Sequence, residues 1–417
     1  MSSGQGESGA AVLSKTSRGT ANSSKAFSAG FLAWTFDAFD FFILTYILGQ
    51  LAREFHRPIS DIAFLLTASL IMRPVGALIF GMLGDRYGRR RPLMANILFY
   101  SIVEALTGLA TSYPQFLLLR LLFGIGMGGI WGLGASLAME SAPAERRGTF
   151  SGILQEGYVI GNLLAAVAFW TVFPHWGWRP MFFLSIVPAL LTIWLLSKVE
   201  ESQAWKIAAA TKKDWGDYFR TIAASGKRLL YLAVLMTAMG FLSHGTQDIY
   251  PTFLQQQQHF GPDLTAIIGV ISMVGAILGG ALGGFFSDRL GRRRTMVTAE
   301  ICALLLIPLW VFSHGVALIA AGAFLMQFMV QAAWGVIPAH INELMPDKVR
   351  ALLPGLAYQI GSLIAAAAPT LEAVATRHFS YGQAMGTFLA IAVVVGVIVI
   401  GAGPEARHVS FGNDPAW

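Results

Sequence analysis

Long apolar runs separated by short polar stretches dominate the chain, near positions 27–52, 60–83, 93–112, 114–138, 149–172, 178–197, 228–253, 264–287, 295–313, 315–340, 352–376 and 381–403. Each exceeds the ~18 residues that read as a bilayer-crossing helix, so the pattern predicts about twelve transmembrane helices. The polar stretches repeat too. Gly81-Met82-Leu83-Gly84-Asp85-Arg86-Tyr87-Gly88-Arg89-Arg90-Arg91 returns as Gly284-Phe285-Phe286-Ser287-Asp288-Arg289-Leu290-Gly291-Arg292-Arg293-Arg294, each copy directly after an apolar run. The shift that takes Asp85 to Asp288 also takes Trp131-Gly132 to Trp334-Gly335, Glu140 to Glu343, Pro143 to Pro346, Arg147 to Arg350 and Gly152 to Gly355. A constant shift means that two halves run through the same helices in the same direction. The expected organisation is a disordered tail over 1–25, a six-helix bundle over 26–197, a linker over 198–227 with a short interfacial helix, a second six-helix bundle over 228–403 and a tail over 404–417.

Composition supports the same class. Hydrophobic residues make up 55% and charged residues 12%, whereas soluble domains carry roughly 25% charged residues. The pI near 9.5 raises the question of nucleic acid, and location answers it. The arginines of both repeats, with Arg146, Arg147, Lys198, Lys206, Lys212, Lys213, Arg220, Lys227, Arg228, Lys348 and Arg350, fall in alternate loops on one side, against Arg53, Arg57, Arg179 and Arg377 on the other. The positive-inside rule makes the first side cytoplasmic and puts both termini there, in a cell inner (plasma) membrane protein. Cys302 is the single cysteine, so no internal disulfide can form.

The duplicated sentence G-x-x-x-D-R-x-G-R-R-R, with Arg120-Leu121-Leu122-Phe123-Gly124-Ile125-Gly126 in the fourth run, resembles the major facilitator superfamily over nearly the whole chain. The resemblance implies an all-α integral membrane fold: two pseudo-symmetric six-helix bundles that rock about a central site. Charges clustered where helices leave the membrane can pair across the bundles and part when they rock. Asp85, Arg86, Arg89, Asp288, Arg289 and Arg292, with Glu140 and Glu343 serving the paired loops, are the expected gate, since topology needs cations but not a repeated aspartate.

Two motifs mislead. Gly124-Ile125-Gly126-Met127-Gly128-Gly129 satisfies G-x-G-x-x-G, but no strand precedes it and it lies in an apolar run, so it reads as close helix packing. His340 and Glu343 share a helix face, yet no second pair completes a metal site and Leu137 stands where the other half would need His340. Neither a cofactor nor a metal is expected.

Ionisable groups at bilayer depth cost about 2.5 to 3.5 kcal/mol on insertion scales, so each needs a partner or a task. Arg73 lies roughly 20 Å along the second helix, near the midplane. Asp37 and Asp40 share a face at similar depth in the first. A guanidinium fork matches a carboxylate with two hydrogen bonds, which makes Arg73 either a substrate clamp or the counter-ion of those aspartates. In the seventh run, His244, Gln247 and Asp248 share one helix face. Ser243, His244, Thr246, Gln247, Asp248 and Thr252 are similar to the seventh-helix signature of fungal lactate/pyruvate permeases in the sialate:proton symporter family, with Gly240 in place of its leading asparagine. That resemblance implies proton coupling at His244 and Asp248, substrate contact at Arg73, Gln247 and His244 and a further contact at Gln359, while the superfamily motif around Arg120 implies a coupling or structural role there.

The expected function is proton-coupled symport of a small monocarboxylate such as lactate or pyruvate, the proton riding on Asp37, Asp40, Asp248 or His244. The partners are then a small organic anion, a proton and the lipid bilayer, with no nucleic acid and a monomer as the working unit. Asp37-Ala38-Phe39-Asp40 resembles the first-helix D-G-x-D of aromatic-acid:proton symporters, so an aromatic or other organic acid is the alternative, and sialic acid the third. A membrane sensor would need a signalling domain that 1–25 and 404–417 are too short to hold. An enzyme would need a catalytic constellation, and none is found.

Overall fold

The structure, a computed structural model, describes residues 5–210 and 214–412. Residues 1–4 and 413–417 of the two expected tails, and 211–213 of the linker, lie outside the described residues. The described residues form helices and no strand. In the first half these are α1 (Gln5–Glu54), α2 (Ile59–Tyr87), α3 (Arg90–Thr107), α4 (Tyr113–Ser141), α5 (Arg147–Gln155), α6 (Gly157–Trp176), α7 (Arg179–Leu184) and α8 (Ile186–Ser197). Two short helices follow, α9 (Gln203–Ala210) and α10 (Trp215–Ala224). The second half holds α11 (Gly226–Gln247), α12 (Tyr250–Gln256), α13 (Pro262–Leu290), α14 (Arg292–Val311), α15 (Val316–Trp334), α16 (Ile337–Glu343), α17 (Leu352–Ala365), α18 (Ala368–Ala375) and α19 (Tyr381–Ala402).

Among the described residues, eleven stretches are long and apolar enough to cross a membrane. The remaining expected run, 93–112, is α3, whose eighteen residues include Arg90, Arg91 and Glu104 and which packs on α4 and α8. The first helix starts earlier than expected. It runs from Gln5, so 5–25, read from sequence as disordered tail, are helical backbone. Extending a helix from an anchored span adds a hydrogen bond per residue without the cost of nucleation, which offsets the small polar residues there.

Several spans are broken, and proline sets the break. Its ring clashes with the carbonyl four residues back. Pro188, Pro251, Pro338 and Pro369 stand four residues after Leu184, Gln247, Trp334 and Ala365, where α7, α11, α15 and α17 end. Pro74 and Pro308 are accommodated inside unbroken helices.

The repeat is visible in packing. A Cβ on Gly76 of α2 would lie 1.8 Å from the Ile125 carbonyl oxygen of α4, and one on the equivalent Gly279 of α13 would lie 2.0 Å from the Phe328 carbonyl oxygen of α15. Glycine alone lets these backbones touch. The bundles meet through α2 against α17 and α5 against α13, while Trp170, Val187, Leu305 and Ile398 stand exposed on the outside, the surface that hydrocarbon would cover.

Candidate functional site

The duplicated loops assemble into a closed ionic lattice at one end of the molecule, here the basic end. Asp85 accepts hydrogen bonds from the backbone N–H groups of Ala351 (2.9 Å) and Leu352 (3.2 Å) at the start of α17. Its repeat equivalent, Asp288, accepts them from Gly148 (2.7 Å) and Thr149 (2.8 Å) at the start of α5. Each aspartate therefore caps a helix of the opposite bundle, where unpaired N–H groups and the helix dipole favour an anion. Arg89 joins Asp85 (2.9 Å) to Glu140 (2.8 Å), and Arg350 approaches Glu140 from the other bundle at 3.6 Å. In the second copy Arg292 joins Asp288 (2.8 Å) to Glu343 (2.9 Å), and Arg147 crosses to Glu343 at 2.9 Å. Burial of Arg89 works against its charge, but Glu140 and Asp85 outweigh it and hold its guanidinium protonated well above its ordinary range. Arg86 stacks over Trp215 and Arg289 over Phe285.

Two chain segments that sequence reasoning left as connectors complete this end. Tyr218 of α10 donates to Asp85 at 3.1 Å, and Trp205 of α9 donates to the Asp85 carbonyl at 2.9 Å. Burial, then the neighbouring Asp85 carboxylate, pushes the Tyr218 hydroxyl above its usual range, so it remains a donor. Residues 404–412, expected as tail, lie across the lattice. Glu405 accepts from the Arg292 and Arg293 N–H groups, and Phe411 sits with the Arg147 and Arg350 guanidiniums each 3.8 Å from its ring centre.

Beyond the closed end, a cavity of about 290 Å³ opens between the bundles. Phe42, Gln155, Tyr158 and Asn162 line it from the first bundle, and Ser243, His244, Gln247, Asp248, Gln331, Trp334, Tyr358 and Ser362 from the second. The His244 Nδ1 lies 2.9 Å from Asp248 Oδ2, with both side chains about one-third exposed, 38% and 32%. Gln247 donates to Gln327 of α15 at 2.9 Å, and Gln327 donates to the Thr246 hydroxyl at 3.0 Å, which fixes the last turn of α11. An aromatic stack forms one wall: Trp131 lies on Tyr358 with ring centres 4.3 Å apart, and Trp334 meets the same tyrosine edge-on.

Other expected site residues are close by but enclosed. Arg73 is buried, does not line the cavity, and places its guanidinium carbon 5.9 Å from the centre of the Tyr358 ring, which does. Gln359 donates to the Gly128 carbonyl oxygen across the bundles at 3.2 Å. Asp37 and Asp40 are wholly buried, with no hydrogen bond to their carboxylate oxygens among the described residues. Arg120 is ion-paired with Glu104, also reaches the Thr107 hydroxyl at 3.2 Å, and lies over Phe123. His340 and Glu343 do not converge on a ligand: Glu343 is taken by Arg147 and Arg292. Sequence reasoning missed Gln331, Tyr158, Trp334 and Tyr358, which reach the cavity from helices whose local pattern carries no motif for it, and Gln327, which holds Gln247.

A model of the Major Facilitator Superfamily matches residues 30–282 and 249–416. The chain is 33% identical to a carboxylic acid transporter protein homolog of Saccharomyces cerevisiae over 83% of its length, and it spans 60% of that longer relative. It is 28% identical to a probable 4-methylmuconolactone transporter of Cupriavidus pinatubonensis, covering 95% of this chain and 94% of the relative, and 28% identical to the sialic acid transporter NanX of Escherichia coli, covering 87% and 89%. Among solved structures it resembles the proton:xylose symporter XylE with a TM-score of 0.74, at 19% identity over 94% of this chain and 98% of that one.

Proposed function

The chain belongs to the major facilitator superfamily, and from that premise we propose that it is a proton-coupled secondary transporter of small organic acids. The observation that carries this reading is the His244–Asp248 pair opening onto a cavity between two bundles whose basic end is sealed by paired carboxylates and guanidiniums. Assigned by the excess of arginine, the sealed end faces the cytoplasm with both termini, and the cavity opens outward. The anion enters among Ser243, His244 and Gln247. Arg73 receives its carboxylate once the Tyr358 ring yields, and a proton taken up by Asp248, or by the buried Asp37 and Asp40, makes the loaded carrier electroneutral. Rocking then opens the basic end, where water reclaims proton and anion.

Lactate or pyruvate is the finer assignment, supported by the seventh-helix pattern. A second reading, an unsaturated or aromatic acid, is favoured by the Phe42, Tyr158, Trp334 and Tyr358 walls, and relatives named for 4-methylmuconolactone and cis,cis-muconate transport point the same way. Uptake of labelled lactate, benzoate and sialic acid into proteoliposomes under an imposed pH gradient separates them. Accumulation of lactate supports the first reading, accumulation of benzoate the second, and no acid-driven uptake of any organic acid defeats both.

A further inference from the structure

Glu372 of α18 has a relative exposure of 0%, and neither of its carboxylate oxygens has a hydrogen-bond partner among the described residues. It faces the turn of α11 that carries the cavity pair: a Cβ placed on Gly245 would stand 3.6 Å from Glu372 Oε1, and Glu372 lies within electrostatic range of Asp248. Gly245 and Asp248 share a helix face. From α11 come His244 and Asp248; α19 offers no carboxylate, lysine, arginine or histidine between Tyr381 and Ala402, and Arg377 and His378 follow α18 at its outer end. An unpartnered carboxylate enclosed at membrane depth is tolerated when it is neutral, so it requires a proton and a route for that proton.

We propose that Asp248 and Glu372 form a carboxylate pair that shares the transported proton, with Asp248 the entry group and Glu372 the enclosed one. This rests on the proton-coupled reading above. A proton passes from cavity water to an Asp248 oxygen, with His244 holding the other oxygen, and from there to a Glu372 oxygen, leaving Asp248 ionised beside His244. Two carboxylates that share a site resist simultaneous ionisation, so one proton serves the pair. Both helices are interrupted here, between α11 and α12 and between α17 and α18. Such breaks mark the ion sites of discontinuous helices and let their outer halves shift during gating. That shift would return the proton from Glu372 to Asp248 and then to water on the other side.

The test uses the full chain in proteoliposomes and the labelled acid that the wild type accumulates. Glu372→Gln is expected to lose accumulation driven by a pH gradient while retaining counterflow of internal for external acid, which needs no net proton movement. Accumulation by Glu372→Gln equal to the wild type overturns the proposal. If Glu372→Gln loses both activities, Glu372→Asp decides: restored accumulation with a displaced pH profile upholds the proton role, and failure to restore either activity assigns Glu372 to structure and overturns it. A wild type that shows counterflow but no response to pH removes proton coupling itself, and this inference with it.

Discussion

At the residue scale, the site divides into a part written locally and a part assembled from afar. His244, Gln247 and Asp248 were legible because one helical turn places them together, and the structure sets His244 and Asp248 2.9 Å apart on the cavity wall. Arg73 was legible by depth, but its contact with Tyr358 was not, because nothing in its own helix announces a ring from α17. If Arg73 receives the substrate carboxylate, Arg73→Lys keeps the charge and loses the planar fork. One charge-assisted hydrogen bond is worth about 1.5–3 kcal/mol, so binding of the transported acid should weaken roughly tenfold to a hundredfold at unchanged expression; unaltered affinity in a binding titration rejects the role. Glu372 was within reach of sequence reasoning, since an acid inside the run 352–376 is costly wherever it points. Its relation to Asp248 was not, because that depends on Gly245, whose missing side chain lets the Phe388 ring and Glu372 approach α11 from helices distant in sequence.

At the element scale, the duplicated loops predicted a gate, and the structure gives the repeated aspartates a further task in capping α17 and α5 of the opposite bundle. Asp85→Asn keeps the side-chain shape but puts an amide where Arg89 and two N–H groups require an acceptor. A Ser151→Cys reporter at the seam between α5 and α16, in a Cys302→Ala background, should then be labelled faster from the basic end; equal labelling counts against the gate. Four helix breaks were also written in the chain, as prolines four residues beyond the ends of α7, α11, α15 and α17, but Pro74 and Pro308 show that proline alone does not determine a break. Glycine gives a sharper contrast. Gly76→Ala and Gly279→Ala force a methyl group into a facing carbonyl and should destabilise the bundles by about 1–3 kcal/mol or more. Gly269→Ala, with nothing within 4 Å of the new Cβ, should leave the melting temperature unchanged or slightly higher. Equal melting of all three variants would refute the close-packing account.

At the scale of the whole molecule, the two bundles are held together at the basic end by a lattice in which Arg147 and Arg350, one from each half, each place a guanidinium 3.8 Å from the Phe411 ring centre. Val409 accepts a hydrogen bond from Arg147 at 2.9 Å, and the Gly412 N–H donates to Asp347 at 2.9 Å, so the final described residues fasten onto both halves at once. Part of this segment follows the repeat, because Glu201 accepts from the Arg89 and Arg90 N–H groups in the first half as Glu405 does from Arg292 and Arg293 in the second. Opening the basic end must separate Arg147 from Arg350, and the phenyl ring they share must give up at least one cation–π contact, worth about 0.5–2 kcal/mol. Phe411→Ala removes both contacts without touching the cavity, and Phe411→Leu keeps apolar bulk without the aromatic face. Both are expected to raise amide hydrogen exchange in segments 147–152 and 347–355 of the purified full chain, the alanine variant more. Binding at the cavity should fall as the closed basic end loses population, since a ligand's apparent affinity scales with the fraction of protein in the competent state. If exchange in those segments is the same in both variants as in the wild type, Phe411 covers the gate without holding it, and the ionic lattice alone keeps the bundles together.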